Sequence, residues 1–200
     1  MSSSFILVLY YSVGGSVKAL AEQIALGIEA SGMSARVRTV PAVSSTTEAT
    51  SSPVPDEGDL YCEYQDLRDC SALALGSPTR FGNMAAALKY FIDGSSDLWL
   101  SGDLIDKPFG VFTSSASLHG GQETTLMSMA IPLLHHGMIW AGVPYSVAEL
   151  GQTSTGGTPY GPSHVSGSQG TTTLTADEIA IARAYGKRLG QLAQRLERSL

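Results

Sequence analysis

The first forty residues combine an uninterrupted apolar run, a small polar turn and a helical pattern. Residues 5–11 are apolar throughout, which is typical of a strand that is buried on both faces of a parallel sheet. Apolar residues then recur at helical spacing from Val17 to Ile28, and Gly32 ends the pattern. Residues 35–40 alternate between apolar and polar as a strand does, so the three segments together predict a βαβ unit.

The rest of the chain continues this alternation of strands and helices. Three further apolar runs that end in turns predict buried strands at 71–78, 107–115 and 138–146. Helical spacing predicts helices at 84–92, capped by Asn83, at 124–136, bent at Pro132, and after the capping box of Thr175 and Glu178. Such alternation predicts a three-layer, doubly wound α/β domain with five parallel strands.

Two long segments show no usable period and are predicted to be surface loops. Residues 41–61 are rich in Ser, Thr, Pro and Glu, and residues 149–173 are dense in Gly, Ser and Thr. No internal repeat is visible, and 200 residues fit one domain, so we expect a single domain over residues 1–200.

Charge and composition argue against several classes of partner and site. The net charge of −6 and the lack of a basic run argue against nucleic-acid or anionic-membrane binding. The N-terminal residues have no basic segment and only a short apolar run, so we expect a cytoplasmic protein with no signal peptide or membrane span. Cys62 and Cys70 fit no zinc or redox motif and are predicted to be free thiols, and the four histidines suggest no metal site.

Three of the predicted strands end in loops of unusual composition. These loops are SVGGSV at residues 12–17, SPTRFGN at residues 77–83 and SSASLHGG at residues 114–121. Ligands of doubly wound sheets bind beyond the carboxyl ends of the strands, where such loops meet. We therefore expect the three loops to surround one ligand.

The first loop opens a helix and suits a terminal monophosphate. Backbone N–H groups at a helix N-terminus attract anions, and Ser12 and Ser16 add hydroxyl donors. The loop lacks both the P-loop lysine of triphosphate sites and the dinucleotide-binding pattern G-x-G-x-x-G. A simple glycine turn without a ligand remains the alternative.

The other two loops offer groups suited to a flat aromatic ligand. Arg80 and Phe81 supply a cation and an aromatic face, and His119 stands in a loop rich in backbone and hydroxyl donors. Beside a phosphate loop, these groups suit a heteroaromatic, phosphorylated molecule. The alternative is an ordinary connection with a surface arginine.

The motifs YYSVGGSV, GSPTRFGNM, FTSSASLHGGQET, LLHHGM and GGTPYG together resemble those of WrbA-type NAD(P)H:quinone oxidoreductases. The resemblance spans residues 5–196 and implies a flavodoxin-like sheet with FMN at its carboxyl edge. It implies NADH or NADPH as the transient donor and a quinone as the substrate. It further implies a homotetramer, a dimer of dimers, in which a neighbouring subunit completes each flavin pocket and residues 156–161 belong to the surround.

The resemblance also assigns individual residues. The residues that would hold the phosphate are Ser12, Val13, Gly14, Gly15, Ser16 and Val17. The residues that would embrace the isoalloxazine ring are Pro78, Thr79, Arg80, Phe81, Gly82, Ser114, Ser115, Ala116, Ser117, Leu118, His119 and Gly120. His135 would contact the flavin as the catalytic residue, and the substrate pocket would comprise Trp99, Phe81 and His135.

Two departures from the family pattern keep other interpretations open. Gly14 stands where family members often carry an aromatic residue, and Val17 stands where simple flavodoxins often carry threonine. One alternative is a flavodoxin-like one-electron carrier that docks to redox partner proteins, and another is a module that has lost its cofactor. His135 and His136 also suit a structural role at a helix C-terminus, where the dipole favours an imidazolium.

Overall fold

A parallel β-sheet runs through the protein between two layers of helices. The computed structural model describes residues 4–44 and 54–197. Its strands are β1 (Phe5–Tyr10), β2 (Ser34–Thr39), β3 (Ala72–Pro78), β4 (Pro108–Ser115), β5 (Ile139–Trp140) and β6 (Ser163–Val165). Its α-helices are α1 (Ser16–Glu29), α2 (Tyr64–Asp69), α3 (Ala86–Asp93), α4 (Ser96–Ser101), α5 (Gln122–His135) and α6 (Ala176–Glu197), and a 3₁₀ helix spans Ala148–Gly151.

The strand order is β2-β1-β3-β4-β5, and every pair is parallel. Strand β5 pairs only with Pro108 and Phe109 at the start of β4, while β6 pairs with residues 113–115 at its end. The described strands therefore fill five positions in the sheet, and β5 and β6 share the fifth. The predicted doubly wound α/β fold is confirmed.

The last predicted strand and the second predicted loop were partly wrong. Strand β5 ends at Trp140 because the chain turns away from β4 soon afterwards, and Val143 N–H donates to Pro159 O rather than to β4. Residues 149–173 include the end of the 3₁₀ helix and the whole of β6. Of the first predicted loop, residues 45–53 lie outside the described residues.

The predicted helices differ from the observed ones mainly at their ends. Helix α3 begins after Ala85 rather than at Asn83, whose side chain accepts a hydrogen bond from Met84 N–H instead. The capping box before α6 is confirmed, because Thr175 N–H donates to Glu178 and Glu178 N–H donates to the Thr175 hydroxyl. Helices α2 and α4 were not predicted, and each has only six residues.

Strand β1 shows how the apolar pattern produces two cores. Leu7 and Leu9 point to one face of the sheet, where they pack with α3 and α5. Ile6 and Val8 point to the other face, where they pack with α1 and α6. Because both faces are covered, the strand is apolar at every position.

Helices α1 and α6 approach closely enough for their backbones to touch. A Cβ atom on Gly27 of α1 would overlap the carbonyl of Arg183, and one on Gly186 of α6 would overlap the carbonyl of Ile24. Any larger residue at these two positions would push the helices apart. The glycines thus fix α6 against the helix that follows the first loop.

The structure also bears on the predicted thiols, membrane span and metal site. Cys62 and Cys70 are free and buried, as predicted, and burial raises the pKa of the Cys70 thiol to about 12. Within residues 4–44 and 54–197, no helix has the length and apolar character needed to cross a bilayer. The same residues contain no cluster of three potential metal ligands.

The Tyr185 side chain is fully buried between α6 and β4, and its hydroxyl has no hydrogen-bond partner among the described residues. A buried hydroxyl without a partner is unfavourable, so Tyr185→Phe is expected to raise the free energy of unfolding by about 1 kcal/mol. Urea denaturation measures the change. The control is Tyr10→Phe, because the Tyr10 hydroxyl donates to Asp59 at 2.8 Å and its loss should lower stability. A loss of stability in Tyr185→Phe would contradict the prediction.

Candidate functional site

The carboxyl edge of the sheet holds a cavity of about 330 Å³ where the three predicted loops meet. Among the predicted site residues, those that line it are Ser12, Val13, Gly14, Ser16, Val17, Pro78, Thr79, Arg80, Ser114, Ser115 and Ala116. The sheet brings the three loops together because β1, β3 and β4 are adjacent and parallel. The predicted convergence of the loops is therefore found in the structure.

The first loop leads into the N-terminus of α1. Gly15 lies just before the helix with a φ of 87°, a left-handed conformation that favours glycine, and no side chain of the described residues caps the helix. The Ser12 hydroxyl oxygen accepts a hydrogen bond from Gly15 N–H at 3.1 Å, which leaves the hydroxyl proton available. A Cβ atom on Gly14 would meet no atom of the described residues within 4 Å. The first turn of α1 therefore offers backbone donors beside open space.

The second loop forms a tight turn that exposes an aromatic ring. Arg80 N–H donates to Asn83 O, and Asn83 N–H donates back to Arg80 O. Phe81 and Gly82 form the tip with φ values of 53° and 75°, and a left-handed phenylalanine is strained. The Phe81 side chain is fully exposed. The turn thus carries Arg80 to the cavity and Phe81 to the outer surface.

A chain of buried hydrogen bonds supports the third loop. Gly157 N–H donates to Ser163, Ser163 donates to Gln122, Gln122 donates to Ser115, and Ser115 donates to Ser117 O. Gln122 was missed by the sequence analysis, although it lies in the motif GGQE. Beyond Ser115 the loop turns outward: residues 116–119 are exposed, and residues 117–120 do not line the cavity.

A fourth loop, residues 166–171, forms part of the cavity wall and was also missed by the sequence analysis. Ser166 and Gly170 line the cavity, and Ser166 N–H donates to Ser115 O at 2.9 Å. The Ser16 hydroxyl donates to Thr171 O at 3.2 Å, which joins this loop to the start of α1. The loop reaches the site because it follows β6, which runs parallel to β4 and ends at the same edge.

Comparison with known proteins identifies the family. Residues 6–152 match the family described as NADPH-dependent FMN reductase. The chain belongs to the NADPH-dependent FMN reductase family. The resemblance seen in the sequence motifs is confirmed by this match and by the relatives of this family member.

These relatives are similar to the family member along nearly its whole length. A protein of Solidesulfovibrio magneticus named NAD(P)H dehydrogenase (quinone) is 41% identical, over 96% of this chain and 98% of its own. A protein of Chromohalobacter salexigens with the same name is 42% identical over the same shares. A solved structure of a WrbA-like flavodoxin protein from Agrobacterium tumefaciens is 29% identical, with a TM-score of 0.68, and covers 96% of this chain and 99% of its own.

The cavity of this FMN reductase family member fits a flavin mononucleotide. The uncapped N-terminus of α1, the available Ser12 proton and the open space at Gly14 suit a phosphate. Pro78 of the second loop and Ala116 of the third loop both line this cavity of about 330 Å³, where the ring of the cofactor would lie. The residues that would hold FMN are therefore those of the four loops.

Two residues that were predicted for the site, His135 and Trp99, lie away from the first cavity. His135 and Trp99 line a second cavity of about 560 Å³ between α3, α4 and α5, and the Trp99 indole donates to His135 O at 3.0 Å. Among the described residues, none lines both cavities; Arg80 lines the first, and Asn83, at the other end of the same turn, lines the second. Within one chain, the structure does not bring His135 or Trp99 to the first cavity.

The neighbouring histidine has a structural setting. His136 is buried, and its Nε2 lies 3.0 Å from the Ser95 hydroxyl oxygen. Because that hydroxyl donates to Ile92 O, Nε2 must carry the proton that it donates to Ser95. Burial, together with the adjacent His135, lowers the pKa of His136. The ring is therefore neutral and ties α5 to the segment before α4.

Proposed function

We propose that this protein reduces quinones by two electrons, using FMN as its bound cofactor and NADH or NADPH as the donor. The observation that carries the proposal is the convergence of the strand-end loops on one cavity at the N-terminus of α1. Relatives named NAD(P)H dehydrogenase (quinone) support the reaction class. FMN, when bound, supplies hydride acceptance and two-electron transfer.

The chain's own residues bind and orient the cofactor. The backbone N–H groups of α1 and the hydroxyls of Ser12 and Ser16 hold the phosphate, which therefore needs no lysine. Residues 78–80 and 114–116, which line the cavity, would flank the isoalloxazine ring. Ser166 and Gly170 of the fourth loop line the same cavity, and the Ser16 hydroxyl bonded to Thr171 O joins that loop to the phosphate end.

A homotetramer would bring the second cavity into the reaction. His135 and Trp99 act in this proposal at the flavin of a neighbouring subunit, since they lie apart from the cofactor cavity of their own chain. The exposed Phe81, 74% exposed Leu100 and 53% exposed Ile131 support an interface with another copy. Sedimentation analysis of the purified protein tests the assembly, and a monomer at all concentrations would contradict it.

The oxidised, FMN-loaded protein mixed anaerobically with NADH and then NADPH tests the reaction. Prompt loss of flavin absorbance, followed by its recovery on adding benzoquinone, is the expected result. A flavin that binds but stays oxidised would favour the electron carrier. Failure to bind FMN at micromolar concentrations would favour a module without a cofactor. We also propose that the protein is cytoplasmic, in keeping with its buried free thiols. We further propose that residues 1–200 form one domain.

His135 is proposed to protonate the quinone oxygen as it receives electrons. Replacement of His135 by alanine should therefore slow flavin reoxidation by benzoquinone by about tenfold or more, since positioned acids contribute about 10²-fold or more. Reduction of the flavin by NADH should change little, because hydride transfer needs no acid. Stopped-flow absorbance measures the two half-reactions separately. Equal reoxidation rates in the parent and in His135→Ala would remove this role.

A further inference from the structure

A histidine and a glutamate form a buried ion pair next to residues 166–171, the fourth loop of the cavity. His164 of β6 and Glu178 of α6 are each only 1% exposed, and Nδ1 of His164 lies 2.9 Å from Oε2 of Glu178. The other ring nitrogen, Nε2, lies 2.9 Å from Thr171 O. Neither residue was assigned a part in cofactor binding by the sequence motifs.

The partners of His164 determine its protonation state. A backbone carbonyl can only accept a hydrogen bond, and so can a carboxylate. Both ring nitrogens therefore carry protons, and the ring is an imidazolium. Burial opposes this charge, but the hydrogen bonds to Glu178 and Thr171 raise the pKa of His164 overall.

Glu178 is held ionised by its surroundings. Its carboxylate accepts hydrogen bonds from Gly156 N–H at 2.9 Å, Thr175 N–H at 2.8 Å and Val165 N–H at 3.2 Å. Burial opposes the charge, but His164 and these backbone donors lower the pKa of Glu178 to about 2. The surroundings of the pair therefore favour the charged form of both side chains.

Among the described residues, Glu178 is the charged partner of His164. Strand β4, which pairs with β6, contains no titratable residue. The charged residues of α1 are Lys18, Glu22 and Glu29, and none of them forms an ion pair with His164 in the described ranges 4–44 and 54–197. Glu178 is thus the charged partner that sets the state of the ring.

The Thr171 carbonyl connects this pair to the phosphate loop. It accepts one hydrogen bond from His164 and one from the Ser16 hydroxyl. Ser16 must turn its proton away from Thr171 before it can donate to a phosphate. The His164 hydrogen bond then keeps the Thr171 carbonyl paired, which lowers the free energy needed for that turn.

We propose that His164 is a positioning residue for FMN, which as an imidazolium holds Thr171 in place and releases the Ser16 hydroxyl for the phosphate. This inference rests on the proposed function. Its specific consequence is a preference for FMN over riboflavin, because riboflavin lacks the phosphate that Ser16 would contact.

Two variants of similar size separate the two hydrogen bonds of the ring. The amide of His164→Asn takes the place of Nδ1 and keeps the bond to Glu178, whereas that of His164→Gln takes the place of Nε2 and keeps the bond to Thr171. Fluorescence titration of the cofactor-free proteins with FMN and riboflavin gives the affinities. We expect His164→Asn to weaken FMN binding by about tenfold and riboflavin binding little, while His164→Gln stays within about threefold of the parent for both.

The proton itself is tested in two ways. A proton–nitrogen correlation spectrum of the cofactor-free parent should show protons on both ring nitrogens of His164 at neutral pH. As the pH rises through the raised pKa of His164, Nε2 loses its proton and the parent's preference for FMN should fall. In His164→Gln the phosphate of FMN still titrates, but the imidazole ring is absent. The preference of this variant for FMN over riboflavin should therefore not fall over the same pH range.

Three results would overturn the inference. Unchanged FMN affinity in His164→Asn would show that the Thr171 bond does not matter. An equal loss of affinity for FMN and riboflavin, with a lower urea midpoint, would show a role in stability alone. If the parent binds riboflavin as tightly as FMN, or binds neither, the proposed phosphate site fails as well, so the two failures are distinguishable.

Discussion

Gly14→Asp is expected to weaken FMN binding by about one hundredfold or more while leaving the fold intact. Gly14 has an ordinary φ, and a Cβ atom there would meet nothing within 4 Å in the part of the chain that the structure describes, so the loop can accept a side chain. The new carboxylate would face the phosphate of FMN. Two unit charges about 6 Å apart in a partly buried site repel by about 3 kcal/mol, which is about a hundredfold in affinity.

The matched control for this variant is Gly14→Asn, which adds the same volume without the charge. Its FMN affinity should stay within about fivefold of the parent, because neutral substitutions in open space change binding energies by less than about 1 kcal/mol. Riboflavin should bind all three proteins alike. If Gly14→Asp binds FMN as the parent does, the phosphate lies elsewhere, and the assignment of residues 12–17 is wrong.

Gly110→Ala is expected to lower the free energy of unfolding by about 3 kcal/mol. Gly110 lies in the middle of β4, where an added Cβ atom would overlap the Tyr185 hydroxyl. Tyr185 is fully buried and cannot move into solvent, so α6 must shift away from the sheet. Overpacking of a rigid core typically costs about 1–3 kcal/mol, and a backbone shift lies at the upper end.

Urea denaturation measures this loss, and Gly151→Ala provides its control. A Cβ atom on Gly151 would meet none of the described atoms within 4 Å, so the free energy of unfolding of Gly151→Ala should differ from that of the parent by less than about 0.5 kcal/mol. A loss below about 1 kcal/mol in Gly110→Ala would show that β4 and α6 can separate freely. In that case the position of α6 would not be fixed by this contact.

The apolar strands could be predicted because their burial is visible in the sequence itself. Strands β1, β3 and β4 are covered on both faces, and each therefore appears as a continuous apolar run. Strand β6 could not be predicted in this way. Its residues Ser163 and His164 are buried through Gln122 and Glu178, which are distant in sequence, so its pattern resembles that of a polar loop.

The same distinction applies to the candidate site. Three of its loops follow predictable parallel strands, and that rule alone places them at one edge. The fourth loop depends on β6 and was missed for the same reason. The positions of His135 and Trp99 relative to the cavity depend on packing between α3, α4 and α5, and their proposed roles stay predictions.

The contact between α1 and α6 implies an order of events during protein synthesis. Because a ribosome makes the chain from its N-terminus, α6 emerges after every other described element. Until then the backbone surface of α1 that Gly186 covers is bare, and Glu178 is missing from behind the last loop. A nascent chain that ends after β4 already contains the loop at residues 12–17, yet we expect it to capture no flavin. FMN would then bind only after α6 has packed and the fold is complete.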